Sequence, residues 1–208
     1  MATATATDTR QILIQSLIRD RIPAQYRCGF PAYRALTPQH RAIKRCAKQW
    51  ADGFTPFTTR GLYMFGTPGS GKSFLGCSIL RRVIERGFFN AYYENTAKLA
   101  QEIRESWDLH HAGPSEREIM DSLLEADLVF LDDIGADPCG EWFQDRLYVI
   151  INEFEMAQKP LIMATNCTSV ELRKHWPKNG ARILSRMEGM ADSVGAFPDQ
   201  DFRGTPAQ

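Results

Sequence analysis

Residues 66 to 73 read Gly66-Thr67-Pro68-Gly69-Ser70-Gly71-Lys72-Ser73 and fill every fixed position of the pattern G-x-x-x-x-G-K-[ST]. The glycines let the backbone curl until several consecutive N–H groups point at one anion. The stretch therefore predicts a phosphate-binding loop for ATP or ADP, with Phe74 as the next residue of the nucleotide-binding set. Lys72 is expected on the β- and γ-phosphates, and the Ser73 hydroxyl is expected to coordinate Mg²⁺.

The segments on either side of the loop support this interpretation. Residues 61–65 form a short apolar run typical of a buried parallel strand, and residues 73–86 place apolar side chains on one face of a helix. The start of that helix would direct its partial positive charge at the phosphates.

Strand and helix patterns alternate along the rest of the chain, which predicts an α/β fold with three layers and a mostly parallel, five-stranded sheet. The predicted strands are residues 61–65, 88–94, 128–131, 160–164 and 193–197.

Composition limits the other function classes. The chain has 208 residues, enough for one α/β domain, and its 25 basic and 25 acidic residues give no global positive field for nucleic acid. The five cysteines never form a C-x-x-C pair, which argues against a disulfide framework or a zinc site. We find no export signal or membrane span in the sequence and expect a cytoplasmic protein without membrane contact.

Polar residues follow two of the predicted strands. Asp132 and Asp133 come after the apolar run 128–131, and Asn166 follows the run 160–164. Ligands bind at the carboxyl ends of strands in open α/β sheets. We therefore expect Asp132 to hold Mg²⁺, mostly through water, and Asp133 to orient or deprotonate the attacking water. The Asn166 amide would lie beside the γ-phosphate and help to position that water.

The N-terminal segment is predicted to be a separate unit. Residues 10–21 form an amphipathic helix whose apolar stripe consists of Leu13, Ile14, Leu17 and Ile18. This stripe either packs on the protein's own core or docks a partner, and the sequence does not distinguish the two. We divide the chain into residues 1–21, a tail and helix with a possible docking role, and residues 22–208, the ATPase domain.

The order of these motifs resembles that of AAA+ ATPases. Within that group, the chain is similar to the DnaC/DnaI-type replicative helicase loaders and to the related IstB-type transposition helper ATPases. The resemblance covers residues 21–203 and rests on three stretches besides the loop. These are residues 21–27 (RIPAQYR), residues 132–136 (DDIGA) followed by residues 142–152 (WFQDRLYVIIN), and residues 182–187 (RILSRM).

The resemblance implies roles for several residues. It implies an AAA+ core without a lid domain, Asn166 at the sensor 1 position and Arg186 as an arginine finger acting on a neighbouring subunit's ATP, hence a homo-oligomer. Arg182 is the second candidate for the finger. The helices between residues 95 and 126 correspond to an element that contacts single-stranded DNA in relatives, where Lys98, Arg104 and Arg117 would serve. The implied partners are a replicative DNA helicase and single-stranded DNA.

Two departures from the family pattern bear on these expectations. The usual Glu after the Mg²⁺-binding Asp is Asp133 here, one methylene shorter. Only about twenty residues precede Ile22, so helicase binding would rest on the helix at 10–21 or on the ATPase domain. The first interpretation is an ATP-dependent helicase loader, and the alternative is an IstB-like transposition helper. A small P-loop kinase is a third possibility, against which the tandem acids and the absence of a segment for an acceptor subdomain argue.

Overall fold

The protein is described here from a computed structural model, which covers residues 6–108, 110–135, 140–199 and 201–202. Its centre is a five-stranded sheet in the order β2-β3-β4-β1-β5, and every neighbouring pair of strands is parallel. The strands are β1 (Gly61–Phe65), β2 (Ala91–Asn95), β3 (Leu128–Ile134), β4 (Leu161–Thr165) and β5 (Ala191–Ala196). The predicted parallel α/β fold is confirmed.

Helices cover both faces of this sheet. In the described part of the chain they are α1 (Ala6–Arg21), α2 (Pro38–Gly53), α3 (Lys72–Glu85), α4 (Thr96–Glu105), α5 (Glu116–Glu125), α6 (Gly140–Met156), α7 (Ser169–His175) and α8 (Gly180–Met190). Two single turns of 3-10 helix, Ala24–Tyr26 and Phe30–Ala32, connect α1 to α2. None of the described helices is long and apolar enough to cross a membrane.

The sheet separates two apolar clusters, which gives the three expected layers. Helices α1, α2 and α3 pack on one face against Leu62, Met64 and Phe130. Helices α4 to α8 pack on the other face against Val129, Leu131 and neighbouring strand residues. Both clusters are made of residues that alternate along the strands, as a sheet covered on both sides requires.

Helix α3 lies close to the sheet because it carries a glycine where it crosses β3. A Cβ atom built on Gly76 would come within 2.3 Å of a ring carbon of Phe130. No side chain fits in that space. Since α3 starts at the phosphate loop and β3 ends in Asp132 and Asp133, this contact fixes the distance between the two halves of the predicted site.

The structure shows where the apolar stripe of the N-terminal helix goes. Ile14 and Ile18 are each only 4% exposed and belong to the cluster with α2 and α3. Leu13 is 44% exposed, and Ile12, which was not counted in the stripe, is 67% exposed. The inner half of the helix is therefore part of the protein's own core, and only its outer edge is available to a partner. The helix also starts earlier than predicted, at Ala6.

Candidate nucleotide-binding site

The predicted phosphate loop connects β1 to α3 as expected. Gly69 and Gly71 have positive φ angles of 79° and 96°, which favour glycine, and Gly71 is the N-cap residue of α3. Lys72 is buried at 5% exposure, and its Nζ donates hydrogen bonds of 2.8 Å to the carbonyl oxygens of both Gly66 and Thr67. The ammonium group is thus held above the loop at the N-terminal end of α3.

Asp132 lies in the last part of β3, beside the loop. It is 1% exposed, and its side chain accepts a hydrogen bond from the Tyr93 hydroxyl at 3.2 Å and interacts with the Ser73 hydroxyl. Burial raises the pKa of Asp132 from 3.8 to about 6, and the neighbouring carboxylate of Asp133 acts in the same direction. A bound cation would favour the ionised form.

The Asp132 and Ser73 side chains fit a magnesium ion. Mg²⁺ bound together with nucleotide phosphates usually takes one or two protein oxygens and keeps several waters. The hydroxyl of Ser73 and the carboxylate of Asp132 supply two such oxygens in one place. No group of three or more His, Cys, Asp or Glu side chains in the described ranges would hold a metal by itself.

Asp133 is held between two amides. The Asn95 Nδ2 donates to one carboxylate oxygen and the Asn166 Nδ2 donates to the other, each at 3.1 Å. The backbone of Asp133 has a φ of 58°, a left-handed conformation that a non-glycine residue seldom adopts, and it coincides with an irregularity in the β3–β4 register. Asn95, Asn166 and the carboxylate of Asp133 therefore form one hydrogen-bonded unit around a strained backbone position.

Asn95 was not among the site residues predicted from the sequence. Its side chain caps α4 by accepting from the backbone N–H groups of Ala97 and Lys98. The second function of the amide follows from β2 lying next to β3, where Asn95 pairs with Asp132. Polar residues at the ends of adjacent parallel strands are the signal that could have found it.

The phosphate loop, the two acids at the end of β3 and Asn166 line one cavity of about 400 Å³. The cavity unites the predicted Lys72, Ser73, Phe74, Asp132, Asp133 and Asn166 with four residues that the sequence did not assign to it, namely Gln25, Tyr26, Tyr93 and Phe202. Tyr26 packs edge-on against Phe74 with ring centroids 6.1 Å apart. Aromatic side chains thus flank the polar end of the cavity, as expected for a site that holds both a base and phosphates.

The C-terminal segment crosses the phosphate loop. The Phe202 backbone N–H donates to the Gly69 carbonyl at 3.0 Å, and its ring contacts His40 of α2. The Asp201 side chain lies so close to Gly69 that a Cβ there would come within 2.1 Å of a carboxylate oxygen. Phe202 therefore forms part of the cavity wall.

The two candidate finger residues lie outside this cavity. Arg186 forms an ion pair with Glu155 and donates to the Tyr148 hydroxyl at 3.4 Å, while the Arg182 guanidinium stacks over the Tyr148 ring at 4.2 Å. They line a separate surface pocket on α6 and α8. Within one chain, neither arginine is placed beside Lys72.

Comparison with known proteins relates this arrangement to a family of ATP-binding proteins. A family model described as IstB-like ATP binding protein matches residues 53–179. The replicative helicase loader DnaC of Escherichia coli K12 is 24% identical over 166 residues, which are 79% of this chain and 64% of DnaC. The chain thus spans less than two thirds of that relative's length.

Solved structures share the fold. A crystal structure of the DnaC helicase loader superposes with a TM-score of 0.73 at 19% identity, covering 85% of this chain and all of the other. A crystal structure of DnaI gives a TM-score of 0.72 at 20% identity, covering 88% of this chain and 94% of the other. At these identities the likeness establishes a common fold.

Proposed function

Because the chain belongs to the family of IstB-like ATP-binding proteins, whose model matches more than half of it, we propose that it is a Mg²⁺-dependent ATPase that loads a replicative helicase onto single-stranded DNA. The observation that carries the proposal is the single cavity that joins Lys72 to the Asp132–Asp133–Asn166 group. Its amide-held carboxylate is suited to water activation, and the likeness to helicase loaders supplies the biological setting.

Each polar group in the cavity has a distinct task in this proposal. Lys72 would exchange its two loop carbonyls for the β- and γ-phosphates, and the loop N–H groups would bind the same phosphates. Ser73 and Asp132 would hold Mg²⁺, which neutralises charge on the phosphates when bound. Asp133 would accept the proton of the attacking water while Asn166 keeps its carboxylate oriented.

Hydrolysis would need a second subunit. Arg186 is the proposed finger, and its position on a surface pocket away from its own cavity is compatible with action on a neighbour's ATP. ATP would then be a switch: the triphosphate bridges two subunits and the diphosphate does not. Loss of this bridge would release the helicase on DNA.

The experiment that tests the loader proposal uses the purified protein and the replicative helicase of the same host or genome. Complex formation would be followed by light scattering after gel filtration in ATP with Mg²⁺, in ADP, and without nucleotide. We expect a complex that depends on nucleotide state, and Lys72→Ala should abolish that dependence while its melting temperature stays the same. A helicase that never binds in any nucleotide state would refute the loader proposal.

A transposition helper is the second candidate, because the matching family model is described by its IstB-like members. This role predicts stimulation of a cognate transposase and no effect on helicase loading. Measuring strand transfer and helicase loading side by side with the same protein preparation separates the two roles.

A further inference from the structure

Helix α2 carries a row of basic side chains that the proposed ATPase chemistry does not use. One face of the helix carries Arg41, Lys44, Arg45 and Lys48, in which Arg41 and Arg45, and likewise Lys44 and Lys48, are four residues apart. They line a surface groove together with Ala35, Gln49 and Asp52. We refer to these four residues as the α2 basic row.

Most of the positive charge of the α2 basic row is not neutralised. Asp52 is the one carboxylate that lines the groove, and it already accepts from Lys48 and from Arg82 of α3, each at 2.6 Å. Lys44 donates to the carbonyl oxygen of Tyr33 at 3.0 Å, which leaves its charge in place. Arg45 forms no ion pair or hydrogen bond with the described residues. A chain with no net charge thus has a local concentration of cations here.

Two of the three basic side chains that the family resemblance suggested for DNA, all but Arg104, differ in this respect. Lys98 pairs with Glu102 at 3.0 Å, and Arg117 pairs with Asp121 at 3.6 Å, each on its own helix at i and i+4. These pairs are exposed and contribute little to stability, yet they place a carboxylate beside each cation. The α2 basic row is therefore the better surface for a polyanion.

We propose that the α2 basic row binds the phosphodiester backbone of duplex DNA. The inference rests on the proposed nucleic-acid-linked function and adds a duplex-binding surface to it. Arg41 and Lys48 are about 10 Å apart along the helix axis, which spans about three base-pair steps, at 3.4 Å per step of one strand, when α2 lies parallel to the duplex axis. Phosphate contacts need only cations at such intervals and carry no sequence information.

The lining of the groove favours this ligand over others. Protein interfaces usually contain an apolar or aromatic anchor, and single strands are usually held by stacking on exposed aromatic rings. The groove offers neither, since its lining consists of the α2 basic row, Gln49, Asp52 and the small side chain of Ala35. A duplex presents phosphates with its bases already stacked, so it requires no such ring.

The test is a titration of the full-length protein with a fluorescent duplex of about 20 base pairs and with one of its strands. Affinity is measured by anisotropy at several salt concentrations for the wild type and for Arg41→Ala/Arg45→Ala. If both cations contact phosphate, the slope of log affinity against log salt should fall by about 1.8, and affinity for the duplex at 0.1 M salt should fall by about 60-fold. ATP binding and melting temperature should not change.

Two variants with the same loss of charge provide controls. Arg173→Ala/Lys174→Ala removes two exposed cations from α7 and should leave duplex affinity and slope unchanged. Lys98→Ala/Arg117→Ala tests the rival surface. Unchanged duplex binding in Arg41→Ala/Arg45→Ala, or a loss confined to the single strand, would overturn the inference. A wild type that binds the single strand but not the duplex would do the same while leaving the proposed loader function intact.

Discussion

Replacing Asp132 with asparagine should change how the stability of the ligand-free protein depends on pH. Burial makes the folded protein hold the Asp132 proton more tightly than the unfolded chain does, with a pKa of about 6 against 3.8. This contribution to stability is complete below pH 3.8 and is lost as the pH rises through 6. At 1.36 kcal/mol per pKa unit, the loss is about 3 kcal/mol. Asparagine has the same shape and does not titrate, so the variant should escape the loss.

The assay is urea or thermal unfolding in EDTA without nucleotide, from pH 4 to pH 8. Relative to the wild type, Asp132→Asn should gain about 2.4 kcal/mol of unfolding free energy between pH 4 and pH 8, since part of the loss has already occurred at pH 4, or roughly 5 to 10 °C in melting temperature. Comparing the variant with the wild type at both pH 4 and pH 8 cancels any effect of the substitution on stability that does not depend on pH. Asp121→Asn, whose side chain is 58% exposed, serves as control and should give a flat difference. A flat difference for Asp132→Asn as well would refute the argument that this carboxylate is desolvated.

Three further predictions concern catalysis and the N-terminal helix. Asp133→Asn should bind ATP normally but release phosphate at least about 100-fold more slowly; normal turnover would move the base elsewhere. Arg186→Ala should lose on the order of 10³-fold in ATPase rate with little loss of ATP binding, and mixing it with inactive Lys72→Ala should restore activity, because one mixed interface has an intact loop and an intact finger. A mixture that co-assembles but stays inactive would argue against a shared site. Ile18→Asp should lower unfolding free energy by at least about 3 kcal/mol while Ile12→Asp leaves it unchanged, and equal melting temperatures would contradict the observed burial.

The local parts of the fold were predictable because their causes are local. The loop from Gly66 to Ser73 needs its glycines for the conformation of its own backbone. Strands β1, β3 and β4 each contain a short apolar run that the sequence shows directly. The acids after residue 131 and Asn166 were expected at strand ends, and both lie in the predicted cavity. Their catalytic roles remain proposals, as do the roles of the loop residues.

The remaining parts depend on which elements lie side by side. The order of the strands brings Asn95 next to Asp133, and nothing in the sequence near Asn95 states that order. Phe202 reaches the loop from more than 130 residues away in the chain, and nothing in the sequence around it indicates that contact. The acids were predicted at the carboxyl end of a strand, and β3 extends through them to Ile134. The left-handed conformation of Asp133, which the amides of Asn95 and Asn166 hold, was not predictable from the neighbouring residues.

The contact between Gly76 and Phe130 sets the distance between α3 and the sheet, and this distance is one dimension of the nucleotide site. The loop moves with α3 and the acids move with β3, so any residue that changes the gap between these elements changes the distance over which a phosphate and its cation must fit. Gly76 and Phe130 should therefore influence nucleotide binding although neither residue lines the cavity. The packing of the core thus sets the dimensions of the site. Substitutions deep in the layer between α3 and the sheet should change nucleotide affinity before they cause any other measurable defect.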